Sequence, residues 1–173
     1  IKDHSKEPFF LYFAHTFPHI PLYTNARFEG TSKRGLYGDV VEEIDWSVGE
    51  VLKALRENGL DENTFVIFTS DNGPHHEGGA DPDFFKSYGP FRGIKRDVYE
   101  GGIRIPMVAW CPGTIKAGAQ SDHISAFWDV MPTLAELTGT VLPEKTDGIS
   151  FLPTLLSKKD QQASGKSRAL LPP

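Results

Sequence analysis

The sequence predicts an α/β protein with a mostly parallel sheet flanked by helices on both faces, and three observations predict it. A continuous apolar run, Phe65-Val66-Ile67-Phe68, stops abruptly at Asp71-Asn72-Gly73. A second run, Phe9 to Ala14, precedes it, and a long stretch of helical periodicity lies between the two. Runs of β-branched and aromatic residues without polar alternation suit strands buried on both faces. Two such strands joined by a helix form a βαβ unit with a right-handed crossover.

The elements follow in order. Phe9-Phe10-Leu11-Tyr12-Phe13-Ala14 is the first expected strand, and His15 to Leu22 is the loop at its carboxyl end. His15 and His19 stand four apart, the spacing of a helical zinc site, but Pro18 between them would break that helix. The prolines Pro18 and Pro21 stiffen the loop and place His19 on the same sheet edge as Asp71. From Leu36 to Asn58 the apolar positions Tyr37, Val41, Ile44, Val48, Val51 or Leu52 and Leu55 recur every three or four residues. That is an amphipathic helix, closed by the C-cap pair Asn58-Gly59, with Glu42, Glu43 and Asp45 as solvated charges.

Phe65 to Ser70 is the central strand. Open α/β sheets place ligand sites at the carboxyl ends of strands. Asp71 and Asn72 offer a carboxylate and a neutral carbonyl oxygen there, and Gly73 lets the backbone turn sharply. Two readings stand side by side: a strand-ending turn, or oxygen ligands for a hard cation such as Ca²⁺ or Mg²⁺. Pro74 to Lys86 has no periodicity and reads as a long loop. His75 and His76 on it are substrate-facing candidates or plain surface residues; adjacent side chains of an extended chain point to opposite sides and do not share one metal.

Between Ser87 and Pro106 the chain carries Arg92, Lys95, Arg96 and Arg104 among several glycines. Such a cation cluster can bind oxyanions, or it can be a solvated hairpin face. Ile103 to Trp110 is a third expected strand, with Cys111 as a small buried or strand-end residue. His123 reads as structural. Asp129 is placed to cap a helix near Pro132, and Gly139 to end it.

Composition excludes several classes. With 39% hydrophobic and 24% charged residues and a net charge of −5, nothing forms the basic footprint of a nucleic-acid binder. One cysteine supports neither a disulfide framework nor a cysteine-built zinc site. No apolar run is long enough to span a membrane, and the opening residues IKDHSKEP carry no signal-peptide pattern.

Four segments, in this order, resemble the sulfatase family of the alkaline-phosphatase superfamily: Phe17-Pro18-His19-Ile20-Pro21-Leu22, Phe68-Thr69-Ser70-Asp71-Asn72-Gly73-Pro74, Gly93 to Pro106 with Tyr99-Glu100-Gly101-Gly102 inside it, and Asp129 to Gly139. The resemblance runs from about Pro8 to Pro153. It implies an alkaline-phosphatase-like fold, incomplete here, with residues 1–156 as part of a catalytic domain; the remainder, 157–173, is polar and rich in small residues and is expected to be a disordered tail. It implies that Asp71 and Asn72 bind a divalent cation, Ca²⁺ foremost and Mg²⁺ as the alternative. Lys95 would bind the sulfate group, His19 would contact sulfate and the leaving-group oxygen, and a protonated His19 or Lys95 would be the acid that donates to that oxygen. The substrate would be a sulfate ester, most commonly on a carbohydrate, and the location periplasmic or secreted.

The family's upstream half, with paired metal-binding aspartates and a Cys-x-Pro-Ser-Arg segment whose cysteine or serine becomes formylglycine, has no counterpart in these residues. Cys111-Pro112-Gly113 does not fit that segment. The chain therefore reads as a central-to-C-terminal fragment, expected to bind metal poorly and to be inactive alone. Two rivals stand beside the sulfatase reading. A two-metal phosphodiesterase or phosphomutase relative predicts an Asp-His pair where Asp71-Asn72 stands, and a non-catalytic binding homologue keeps only the fold.

Overall fold

The computed structural model describes residues 1–142, 146–158 and 162–163. They fall into two units, Ile1–Val108 and Ala109–Pro173.

The first unit is built on helix α1, Gly35–Glu57. The predicted helix forms, with Leu55 almost fully buried and Tyr37, Ile44, Val48, Val51 and Leu52 half-buried, but near its start the buried position is Val40 while Val41, expected on the inner face, is exposed. Its amino end is tied down by Asp39. This buried carboxylate accepts hydrogen bonds from Gly30 N (3.0 Å) and Ser32 N (2.7 Å), so the turn before the helix supplies the donors that an interior charge requires. At the other end Asn58 is the C-cap and Gly59 adopts φ 66°. Gly59 N donates to Arg56 O and Leu60 N to Leu55 O, the paired bonds of a Schellman motif. Beside the helix, Arg27 lies over the rings of Phe28 and Trp46 at 4.7 and 4.3 Å from their centroids.

Strand β1, Val66–Thr69, pairs with β2, Met107–Trp110, in a two-stranded sheet. Two hydrogen bonds next to the strands fix the direction. Thr69 Oγ1 donates to Pro106 O (2.9 Å), and Gly73 N donates to Gly102 O (2.9 Å). As one chain advances from 69 to 73 its partner retreats from 106 to 102, so this pairing is antiparallel where a parallel one was expected. β1 is also only half-buried, with Phe68 45% exposed, rather than covered on both faces. Third, the strand expected from Ile103 begins at Met107, because Glu100–Ile103 forms a single helical turn, α3.

Phe9–Ala14 forms no strand, and Phe10, Leu11, Tyr12 and Phe13 are exposed. Extended backbone becomes a strand only when a neighbour completes its hydrogen-bond ladder, and among the described residues none does. The expected βαβ unit is therefore not present in the described chain. Within the expected loop 74–86 the structure has one further turn, α2, Pro82–Phe85, with Pro82 at its first position. Asp81 Oδ1 caps it by accepting from Asp83 N and Phe84 N.

The second unit centres on α4, Val130–Thr138, and α5, Leu152–Leu155. Gly139 ends α4 at φ 68°, as predicted. Asp129 lies before α4 but does not cap it with its side chain. Fully buried, its carboxylate accepts from Ala126 N (2.7 Å) and Ile149 N (2.8 Å). Thr133 Oγ1 donates to Asp129 O and accepts from Phe151 N, clasping the buried Phe151 to α4. Cys111 is buried directly after β2. Of the tail expected to be disordered, 159–161 and 164–173 lie outside the described residues. Gln162 within it bonds Thr154 and Ser150 O.

Candidate functional site

The corner that follows β1 is assembled by backbone contacts. Gly73 N bonds Gly102 O, Lys95 N donates to Pro74 O (2.7 Å), and Gly101 N donates to Arg92 O (2.8 Å). These bonds stitch the Asp71-Asn72-Gly73 turn to the loop that carries Lys95. The approach is so close that only hydrogen fits on three of the α-carbons. A Cβ on Gly73 would strike Gly101 O, one on Gly101 would strike Gly93 O, and one on Gly102 would strike Asp97 O and Ile94 O. The Tyr99-Glu100-Gly101-Gly102 segment thus contains a backbone lock between two loops.

A second contact brings in His19. A Cβ on Gly78 would collide with Ile20 Cγ2, so the Phe17–Leu22 loop rests on the Gly78-Gly79 corner of the next loop. The ring of His19 then lies 6.2 Å, centroid to centroid, from that of His75. An open concavity of about 410 Å³ lies beside it, lined by Thr16, Phe17, His19, Ile20, Pro21 and Tyr23.

Proton positions follow from the hydrogen bonds. Ile20 O can only accept, so His19 Nδ1 donates to it (2.8 Å) and Nε2 is the atom left to hold or release a proton. Conversely, Glu77 N donates to His75 Nδ1 (3.0 Å), which leaves Nε2–H as the donor of a neutral His75 ring. The neutral form is also favoured electrostatically. Burial lowers the pKa of His75 below the ordinary histidine value, and the positive charge of Lys95 lowers it further, with Glu77 opposing.

The four cations separate by partner. Arg96 pairs with Glu77 at 2.5 Å, Arg104 pairs with Glu100 at 3.2 Å and lies over Phe91, and Arg92 lies 3.9 Å from the centroid of Tyr99. Glu77 accordingly has its pKa lowered, first by the Arg96 hydrogen bond and then by its charge. Lys95, half-buried, has no ion-pair or hydrogen-bond partner for its ammonium among the described residues. Asp71 and the Asn72 side chain likewise make no hydrogen bond there, and Asp71 is exposed.

The structure therefore brings His19, His75 and Lys95 together and stitches the Asp71-Asn72 turn to the Lys95 loop. It does not bring in His76, whose ring is engaged elsewhere. His76 Nε2 lies 3.9 Å from Asp83 Oδ2, in an exposed group with Asp81. Three features were missed in the sequence: the neutral ring of His75, the Glu77–Arg96 pair and the seat of Ile20 on Gly78. For the last of these the Gly78-Gly79 pair was the available signal.

Oxygen donors and an unpaired ammonium at the end of a strand, with a histidine nearby that keeps one nitrogen free, make a corner suited to a tetrahedral oxyanion. The family profile for sulfatases matches residues 1–140, and the chain belongs to the sulfatase family. It is 44% identical over 162 residues to N-acetylgalactosamine-6-sulfatase of Mus musculus, covering 89% of this chain and 30% of that protein. A solved structure from a study of glycosaminoglycan metabolism by Bacteroides thetaiotaomicron superposes with a TM-score of 0.79 at 38% identity, over 91% of this chain and 34% of that one. Another, solved in complex with k-i-k-neocarrahexaose, has a TM-score of 0.78 at 31% identity, over 91% of this chain and 36% of its own. The chain spans about 30% of the length of the curated relatives it matches.

Proposed function

We propose that these residues form part of the catalytic domain of a metal-dependent sulfate-ester hydrolase, with the mostly parallel alkaline-phosphatase-like sheet belonging to the whole protein. The observation that supports the reading is the pair of backbone bonds, Gly73 to Gly102 and Lys95 to Pro74, that ties the Asp71-Asn72 turn to the loop carrying Lys95.

Lys95 is the sulfate-binding cation. A sulfate ester spreads negative charge over three outer oxygens, and an ammonium already stripped of competing acids can meet that charge without reorganising. His19 is the acid. Its Nδ1 is committed to Ile20 O, so a proton on Nε2 can pass to the departing oxygen as the S–O bond breaks. His75 stays neutral and offers Nε2–H as a hydrogen-bond donor to substrate. His76 has no part in this constellation.

The donor set fits a hard divalent cation, since the carboxylate of Asp71 and the carbonyl of Asn72 are oxygen ligands with no competing hydrogen bond. Asp71 and Asn72 would hold that cation, Ca²⁺ foremost and Mg²⁺ as the alternative. They supply two of the roughly six to eight oxygens that Ca²⁺ takes, the rest coming from outside these residues. When bound, the cation would withdraw charge from the sulfate oxygens. The formylglycine nucleophile expected of the family belongs to a segment that these residues do not contain. A sulfated carbohydrate is the favoured substrate, because the N-acetylgalactosamine-6-sulfatases are named for one, and the location would be periplasmic or secreted.

The test is turnover of an aryl sulfate by the full-length protein. Lys95→Ala should lower kcat/KM by about 10²–10³ while leaving the melting temperature nearly unchanged, because the side chain meets charge and fills no core. A parent without activity on sulfate esters, or a variant as active as the parent, would defeat the assignment.

A further inference from the structure

Lys95 sits in a tight turn, Ile94-Lys95-Arg96-Asp97, closed by Asp97 N donating to Ile94 O at 2.9 Å. The Asp97 carboxylate returns the bond by accepting from Ile94 N at 2.9 Å. Arg96 occupies the third position of that turn with φ 80°. Positive φ at this position defines a type II turn, where glycine or asparagine is the usual residue. A side chain there crowds its own backbone, so something must hold Arg96 in place. Its guanidinium has one acidic partner among the described residues, Glu77, nineteen positions earlier on the loop that also carries His75.

We propose that Glu77 is the positioning residue for Lys95: by holding the Arg96 side chain it keeps the Arg96 backbone left-handed, and so keeps Lys95 at the tip of the turn, facing the oxyanion. Neither Glu77 nor Arg96 touches substrate in this account. The proposal rests on the sulfatase reading for its activity arm only, since the turn itself can be observed without any reaction.

A double-substitution cycle in the full-length protein tests it through two readouts. One is hydrogen exchange at the amides of Lys95 and Asp97, whose bonds to Pro74 O and Ile94 O define the turn. The other is kcat/KM on an aryl sulfate. Glu77→Ala removes the restraint while the left-handed Arg96 remains unfavourable, so both protection and kcat/KM should fall about twofold to fivefold, the range that an exposed ion pair supports. Arg96→Gly occupies the same φ freely and should stay near the parent in both readouts. The double variant should match Arg96→Gly, because a glycine turn no longer needs Glu77. Such rescue is something a general loss of stability cannot produce.

Arg96→Gly falling as far as Glu77→Ala would mean that the guanidinium itself does the work, and it would overturn the proposal. So would an unchanged Glu77→Ala, or a double variant as poor as Glu77→Ala alone. If the parent lacks sulfatase activity, the functional reading fails while the exchange cycle still decides whether Glu77 holds the turn.

Discussion

At the scale of single residues, His75 reports most directly on the site. Burial and the charge of Lys95 both push its pKa down, with the nearby His19 and Arg96 adding to the effect and Glu77 opposing it. In a titration followed by NMR, the His75 ring should therefore change charge below 6.5. Lys95→Ala should raise that midpoint without restoring it fully, because burial is the larger cause. A midpoint that fails to rise would remove Lys95 from the surroundings of His75 and break the constellation. The sign for stability follows: the unfolded ring takes its proton at about 6.5 and the folded ring only lower, so the contribution is complete above 6.5 and is lost as pH falls through the folded value. Some of this was legible in sequence. Residue type and place on loops singled out His19, Lys95 and the Asp71-Asn72 pair as candidates, while their roles came only from the resemblance to the family's motifs. The neutral state of His75 could not, because it depends on Glu77 N and on a lysine twenty positions away.

At the scale of elements, legibility follows the range of the interactions. Helix α1 was predicted to within a residue or so at each end, because its apolar spacing and its Asn58-Gly59 cap are local signals. The strands were less legible. Apolar runs announce burial, but which neighbour a run pairs with and in which direction are set by distant contacts such as Thr69 to Pro106. Phe9–Ala14 shows the consequence, an apolar run with no ladder to join. Asp129 shows another limit. Its position before α4 suggested a cap, while its carboxylate in fact spans from Ala126 N to Ile149 N, a partner twenty residues on. Removing it leaves two half-buried amides without this acceptor and empties a fully buried position. Asp129→Ala should thus destabilise the unit holding α4 by about 2–4 kcal/mol, on the usual penalty for unpaired buried donors. Thr138→Val, which removes only exposed hydrogen bonds, should cost under about 1 kcal/mol. Urea unfolding measures both, and equal effects would show that the Asp129 clasp carries no special weight.

At the scale of the whole molecule, charge and apolar surface act differently. The net charge of −5 leaves the loop at Lys95 as a local positive feature in an acidic protein, so the proposed anionic substrate would be met by that local feature and not by the long-range field. The apolar surface is the stronger determinant of behaviour. Phe10 and Tyr12 are 78% and 81% exposed, and Leu11 and Phe13 beside them are more than half exposed. Four consecutive large apolar side chains are thus left uncovered by the described residues, and exposed apolar surface drives association. Because the chain spans about 30% of the length of its curated relatives, that exposure is a property of these 173 residues and need not persist in a longer protein. The 173-residue chain should therefore bind a hydrophobic dye and self-associate at micromolar concentration. Phe10→Lys combined with Tyr12→Asp should reduce both, since each change replaces exposed apolar surface with a hydrated charge. The full-length protein should show neither behaviour at the same concentration. Dye fluorescence and sedimentation measure the comparison, and a double variant as adhesive as its parent would move the source of association away from this segment.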